Sequence, residues 1–337
     1  MTPNTVVKPI GFAIATILAL ALPWISPNLY YLHIFTMIAV YWILISTLNL
    51  LVGFTGQLSI GHVGLLAIGA YTYCLIAPFG GEWPYLALLA GGFIGGLIGL
   101  GLGLPSLRLP GFYFAMVTLA FGLIVSELAL AEQWLTNGSV GLEAPSLPAP
   151  FNTQTTFHLF VVTIAAVITL MTWNLSRFMW GRAMISVRDS DVAAMSVGVS
   201  IFRTKLTVFV FSGVTAGIAG GLYAASQSYI TPDAFIPDLG MFFFTAIIVG
   251  GRGVIVGPLI GTAILAALPE ISGPFQRYGV LFNGVALLFV VLVAPGGVSE
   301  LISTIHNRIS GKGRRPAAPA DLDVLKTIIT GATVHVG

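Results

Sequence analysis

Pro84-Tyr85-Leu86-Ala87-Leu88-Leu89-Ala90-Gly91-Gly92-Phe93-Ile94-Gly95-Gly96-Leu97-Ile98-Gly99-Leu100-Gly101-Leu102-Gly103-Leu104 runs without one charged side chain. A helix crossing the hydrocarbon core of a bilayer needs about 20 apolar residues, so this stretch predicts one membrane crossing. Gly91, Gly95, Gly99 and Gly103 recur every four residues and share one helix face. Lipid gives two helices no hydrophobic reason to associate, and a face of small residues lets their backbones approach closely. Gly213, Gly217 and Gly221 repeat the pattern, as do Gly257 and Gly261. Such faces pack a bundle; a sliding or homomeric contact is the other use open to them.

The rest of the chain agrees. Of 337 residues, 56% are hydrophobic and 8% charged, and the mean hydropathy is +0.96. Soluble domains carry about 25% charged residues, so a soluble globule is excluded. About ten apolar segments follow one another, near Ile10–Ile25, Tyr31–Val52, Leu58–Phe79, Pro84–Leu104, Gly111–Ala131, His158–Leu175, Leu206–Gln227, Leu239–Gly250, Val254–Pro269 and Tyr278–Ala294. The eighth and ninth are short and read as half-spans meeting at Gly250-Gly251-Arg252-Gly253. The first, with Lys8 before it and Ala19–Ala21 near its end, imitates a signal peptide; the many spans that follow make it an uncleaved first crossing. The single Cys74 forms no intrachain disulfide, rules out a zinc cluster and reads as a small buried hydrophobe. The fold class is all-α, a polytopic helical membrane protein.

Charge sets the orientation. Cytoplasmic loops gather Lys and Arg. With the N-terminus inside, alternation puts Lys8, Arg108, Arg177, Arg182, Arg188, Arg203, Lys205, Arg252, Arg308, Lys312, Arg314, Arg315 and Lys326 inside and only Arg277 outside. Both termini are therefore expected in the cytoplasm. Residues 1–295 form the membrane domain. A tail over 296–337, opened by Pro295-Gly296-Gly297 and rich in Pro, Ala and base, reads as solvated and partly disordered, with a lipid-headgroup contact as the lesser alternative.

Chemistry of other classes is missing. The chain has no Walker A, HExxH, CxxC or GxSxG pattern. Ion-coupled carriers hold carboxylates deep in the membrane, whereas Glu127 falls about 24 Å along its helix from Gly111, near the outer interface, and Glu132 and Glu270 map to outer ends. A stand-alone secondary carrier or channel is the rival class, and an intramembrane enzyme built on Ser59 and His62 a more distant one. The segment Gly53–Gly64 interrupts helix periodicity with Gln57, Ser59 and His62. Two readings stand: an irregular stretch meeting substrate inside the membrane, or a cytoplasmic loop and first helical turn with His62 hydrogen-bonded in the bundle.

The loop 176–205 is the longest inside connection between spans. Asp189 or Ser190 suits an N-cap, Asp191 a first turn and Gly198 a stop. The resulting helix is roughly two turns long, too short to stand alone. Val192 and Met195 share a face and read as knobs that pack either on the chain's own bundle or on a partner.

Several stretches together resemble one family. They are Asn49-Leu50-Leu51-Val52-Gly53-Phe54-Thr55-Gly56-Gln57-Leu58-Ser59-Ile60-Gly61-His62 with Gly69-Ala70-Tyr71, Leu107-Arg108-Leu109-Pro110-Gly111-Phe112-Tyr113-Phe114-Ala115 with Thr118-Leu119-Ala120-Phe121, and Gly181-Arg182-Ala183 with Ala193-Ala194 and Gly198-Val199. Ala216–Ala224 and Val249-Gly250-Gly251 with Gly257–Gly261 complete the set. From about Asn49 to Pro295 the chain resembles the membrane subunits of branched-chain amino-acid ABC importers, the M-type permease more than the shorter H-type.

The resemblance implies an ABC importer permease bundle in a bacterial inner membrane, working with an H-type permease subunit, two cytoplasmic ATPases and an extracytoplasmic binding protein. ATP and Mg would sit on the ATPases, with no cofactor or metal on this chain and no nucleic-acid partner. It implies that Asp189, Asp191, Val192, Ala193, Ala194, Met195 and Gly198 form the ATPase-coupling element. Val192 stands where that element in the family carries Glu, and the acid lies one residue earlier. Gln57, Ser59, His62 and Thr118 are the candidate pathway residues. The implied cargo is a branched-chain or other neutral amino acid, with urea, short amides and aromatic acids as alternatives.

Overall fold

The computed structural model describes residues 28–106, 109 and 111–272, with isolated positions at 16, 19–21, 23, 284, 288, 297 and 298. The spans expected over 10–25 and 278–294 lie outside the described residues. So does the tail from 296, apart from 297 and 298. The described residues belong to one unit, Met1–Ser299.

Ten helices carry the described fold: α1 Leu29–Asn49, α2 His62–Ile76, α3 Trp83–Ser106, α4 Gly111–Ala131, α5 Gln154–Arg177, α6 Met179–Asp189, α7 Asp191–Ser196, α8 Ile201–Ser226, α9 Pro237–Gly250 and α10 Gly257–Ser272. A single helical turn, Gln133–Thr136, is left unnumbered. Side-chain caps set several starts: the Asn28 carboxamide accepts from Tyr30 N, and the hydroxyls of Thr153, Ser190 and Ser200 accept from Thr156, Ala193 and Arg203 N. Seven helical segments among the described residues are long and apolar enough to cross a membrane: Leu29–Phe54, His62–Phe79, Trp83–Pro105, Gly111–Ala131, Gln154–Arg177, Ile201–Ser226 and Pro232–Gly250, with Gly257–Ala267 a shorter apolar helix.

Two expected boundaries move. The third span begins at His62, not Leu58, because Gly56 takes a positive φ of 74° and the chain stays irregular until Gly61. The eighth segment is lengthened by a 3-10 turn, Pro232–Phe235, that leads into Pro237.

The crossings of α1, α2 and α8 are each 72% buried within the chain, against 28% for α4 and 33% for α5. The first three are thus central and the last two peripheral. Glycine makes the centre possible. A Cβ on Gly217 would run into the Gly91 carbonyl, one on Gly69 into the Gly217 backbone, and one on Gly95 would lie 2.5 Å from the Gly213 carbonyl. So α2, α3 and α8 touch backbone to backbone. A Cβ on Gly99 would lie 3.6 Å from Gly213 Cα, and one on Gly221 would meet Leu88 and Tyr73. Cys74 is buried and free.

Candidate coupling site

The loop between the crossings of α5 and α8 is more structured than its charge pattern announces. One extended residue, Phe178, separates α5 from α6. The reversal brings Gly181 so close to the Ser176 carbonyl that a Cβ has no room. Gly181, Met184 and Val187 bury one face of α6. The spacing of Met184 and Val187 was the available signal for this helix.

After Ser190, whose hydroxyl accepts from Ala193 N at 3.3 Å, comes the six-residue α7. It ends at Ser196, and Gly198, two residues on, takes φ +79°. Ala194 is fully buried beneath it, while Val192 and Met195 stand 73% and 57% exposed, joined by Val197 at 72%. Asp191 pairs with Lys205 at 3.5 Å, and Asp189 with Arg188 at 3.1 Å.

The polar segment lies against this loop. The π-turn Leu50–Phe54 closes α1, and Thr55, Gln57, Ser59 and His62 are all buried. His62 Nδ1 pairs with Ser59 Oγ at 2.9 Å and Nε2 with Ser212 Oγ at 2.8 Å. Thr215 donates to Thr47 at 2.7 Å beside them. Thr118 Oγ1 accepts from Ile60 N at 3.2 Å. Ser59 and His62 are therefore joined with Ser212 and Thr47 in one hydrogen-bonded seam across α1, α2 and α8, and Thr118 of α4 holds the backbone of the same segment at Ile60. With both ring nitrogens of His62 held by hydroxyls, Ser59 and His62 form a structural link of the kind buried polar groups need.

Gln57 behaves differently. Its Oε1 is buried without a hydrogen-bond partner among the described residues. The residue lines a cavity of about 320 Å³ shared with Val187, Arg188, Asp189, Asp191 and Lys205. Gln57 and the loop 176–205, far apart in sequence, thus border one polar space.

Charge is segregated along the bundle. Among the described residues Arg177, Arg182, Arg188, Arg203, Lys205 and Arg252 all fall at the α6–α7 end. The opposite end carries Glu82, Glu132, Glu143, Asp233 and Asp238. Glu127 is exposed one turn before the close of α4, near that acidic end.

There, two loops are stitched by a short antiparallel pair that the sequence did not reveal. Leu142 stands opposite Ile230 and Glu143 opposite Tyr229. Tyr73 and Tyr85 donate to the Pro145 and Pro148 carbonyls at 2.7 and 3.0 Å, pinning the same loop.

Central helices in backbone contact, a polar seam within them and an exposed helical knob at the basic end describe a multi-pass helical membrane protein. The chain belongs to the family described as branched-chain amino acid transport system / permease component, whose profile matches residues 30–293. It is 32% identical over 290 residues to the high-affinity branched-chain amino acid transport system permease protein LivM of Salmonella typhimurium, covering 78% of this chain and 68% of that one. To LivM of Escherichia coli it is 30% identical over 322 residues, covering 88% and 76%. The permease protein LivH of Salmonella typhimurium is 28% identical over 272 residues, covering 73% and 86%. No solved structure matches the chain.

Proposed function

We propose that this chain is the M-type membrane subunit of an ATP-driven importer and is moved from the cytoplasmic side through α7. The observation that carries the reading is the pair Val192 and Met195, exposed on a helix of six residues. Among the described residues these apolar side chains on a short solvent-facing helix outside the bilayer lack a burial partner, and a small exposed apolar cluster of this kind is what a docking interface uses. The partner is a cytoplasmic ATPase, one of two, which binds ATP and Mg. Closure of the ATPases drives α7, and the spans alternate access.

The second permease subunit is of the H type, and an extracytoplasmic binding protein delivers cargo at the acidic end, where Thr136–Leu142 and the β-stitched loop present a fixed surface. Both termini lie in the cytoplasm and the membrane is a bacterial inner membrane, readings supported by the segregation of Lys and Arg. The cargo is a branched-chain or other neutral amino acid, supported by the names of the LivM relatives; urea, short amides and aromatic acids are the alternatives. Gln57 belongs to the exit path beside α7, while Ser59, His62 and Thr118 hold the frame around it.

The test is Val192→Asp with Met195→Asp. Because both side chains are mostly exposed, the double variant is expected to insert at the normal level. Energised uptake of L-leucine with its ATPases and binding protein should then be lost. Normal uptake would refute the docking assignment.

A further inference from the structure

The end of α1 is tied to two distant parts of the chain at one point. In a regular helix the Gly53 carbonyl would accept from the amide of residue 57. The π-turn diverts that amide, and Gln57 N bonds the Leu51 carbonyl instead, at 3.0 Å. The Gly53 carbonyl receives Arg188 Nη1 at 2.9 Å, from the last turn of α6. One turn back, the Asn49 side chain grips the turn between α9 and α10 with both of its groups. Its Oδ1 accepts from Gly253 N at 3.0 Å and its Nδ2 donates to the Val254 carbonyl at 2.9 Å.

Glycine permits the approach. A Cβ on Gly53 would collide with Gly253 N and lie 2.5 Å from Asn49 Oδ1, and Gly253 itself has φ +72°. Arg188 Nη1 lies 3.7 Å from where a Gly253 Cβ would stand, so the guanidinium borders both glycines. Gly297 is buried against Gly251 on the same turn.

We propose that Arg188 and Asn49 are positioning residues that relay movement of α7 to the α9–α10 turn through the Gly53 carbonyl. The relay rests on the reading of α7 as the ATPase-docking element and goes beyond it by naming the route of the motion. Only Ser190 separates α7 from the turn that carries Arg188. A displacement of α7 therefore reaches the guanidinium through a single residue, beside the Asp191–Lys205 pair that ties α7 to the start of α8. The Arg188–Asp189 pair is 38% and 62% exposed and holds little. The bond to Gly53 is part-buried, and a hydrogen bond from a charged group is the stronger kind. From Gly53 the contact to Gly253 is backbone on backbone, so a shift cannot be absorbed by a side-chain rotamer.

The experiment uses the complete transporter, with both permease subunits and both ATPases, in proteoliposomes with the binding protein and radiolabelled L-leucine. Arg188→Ala, Arg188→Lys and Asn49→Ala are compared for ATP hydrolysed and leucine moved. Arg188→Ala should leave assembly and ATP hydrolysis near wild type, with thermal stability lowered by the unpaired Gly53 carbonyl. Leucine moved per ATP should fall about tenfold or more, the scale of losing one hydrogen bond to a charged group. Arg188→Lys should recover part of the ratio. Asn49→Ala should behave likewise where it folds; where it does not, the two Arg188 variants decide.

An unchanged ratio, or parallel loss of hydrolysis and transport, would overturn the relay. The outcome is separable from failure of the docking reading. Normal leucine uptake by the Val192→Asp, Met195→Asp double variant removes the docking element, whatever Arg188 does. Loss of uptake in that variant with an unchanged ratio in Arg188→Ala removes the relay alone.

Discussion

Gly217→Ala tests whether the bundle depends on backbone contact between α3 and α8. The added methyl would sit against the Gly91 carbonyl, 2.7 Å from Gly91 C and 3.1 Å from Gly92 Cα. All three neighbours are backbone atoms, so none swings aside. Restoring ordinary contact, about 3.4 Å or more, means parting the helices by more than about 0.7 Å, since the carbonyl oxygen lies nearer than its carbon, and a gap of about 0.5–1 Å already forfeits a quarter to a half of a dispersion well along the seam. The strain also reaches α2, since Gly69 meets the Gly217 backbone.

Overpacking of this kind costs about 1–3 kcal/mol. Replacing Gly by Ala in a helix returns up to about 1 kcal/mol. Gly101→Ala removes that ambiguity: Gly101 lies in α3, and a Cβ there meets nothing within 4 Å. The propensity gain is common to both variants and cancels in their difference, leaving the strain, about 1–3 kcal/mol. The assay is unfolding of each purified variant in one detergent. Gly217→Ala should unfold at a clearly lower temperature than Gly101→Ala, which should match or exceed the parent chain. Equal stability of the two would refute the argument that α3 and α8 are held at glycine distance.

The remaining outcomes concern the seam and the sidedness of the loop. His62→Ala strips the partner from the Ser59 and Ser212 hydroxyls and should destabilise the chain by about 1–3 kcal/mol for a hydroxyl left unpaired, while transport per folded molecule persists; a stable His62→Ala that moves no solute would make the ring a pathway residue instead. Val197→Cys places a thiol at a site 72% exposed, on a background whose native Cys74 is buried. A membrane-impermeant maleimide should label it in inside-out vesicles and not in intact cells, and the reverse pattern would overturn the cytoplasmic placement of α7.

What the sequence disclosed and what it hid divide along a physical line. Charge-free runs announced the crossings because bilayer thickness imposes a length that one stretch of chain must meet alone. Gly91, Gly95, Gly213 and Gly217 announced helix faces for the same reason, since a period of four is local. The start of α7 was legible because Ser190 caps a helix whose partner N–H is three residues away.

Contacts between distant residues were not. Asn49 lies inside an apolar run and meets residues 204 and 205 positions further on. A carboxamide in such a run signals that a polar partner exists, without saying which. Arg188 looked like one more base fixing topology, because nothing local reveals that a π-turn 135 residues earlier has freed the Gly53 carbonyl to receive it. The start of α2 was misjudged for a related reason: Leu58-Ser59-Ile60 can be helical by composition, and the Ile60–Thr118 bond and the positive φ at Gly56 hold it open. The sequence therefore marked the parts that enter the membrane and the exposed knob of α7. The joint between them depends on which carbonyls the local helices leave unused, and that follows from the exact register of turns that no single periodicity records.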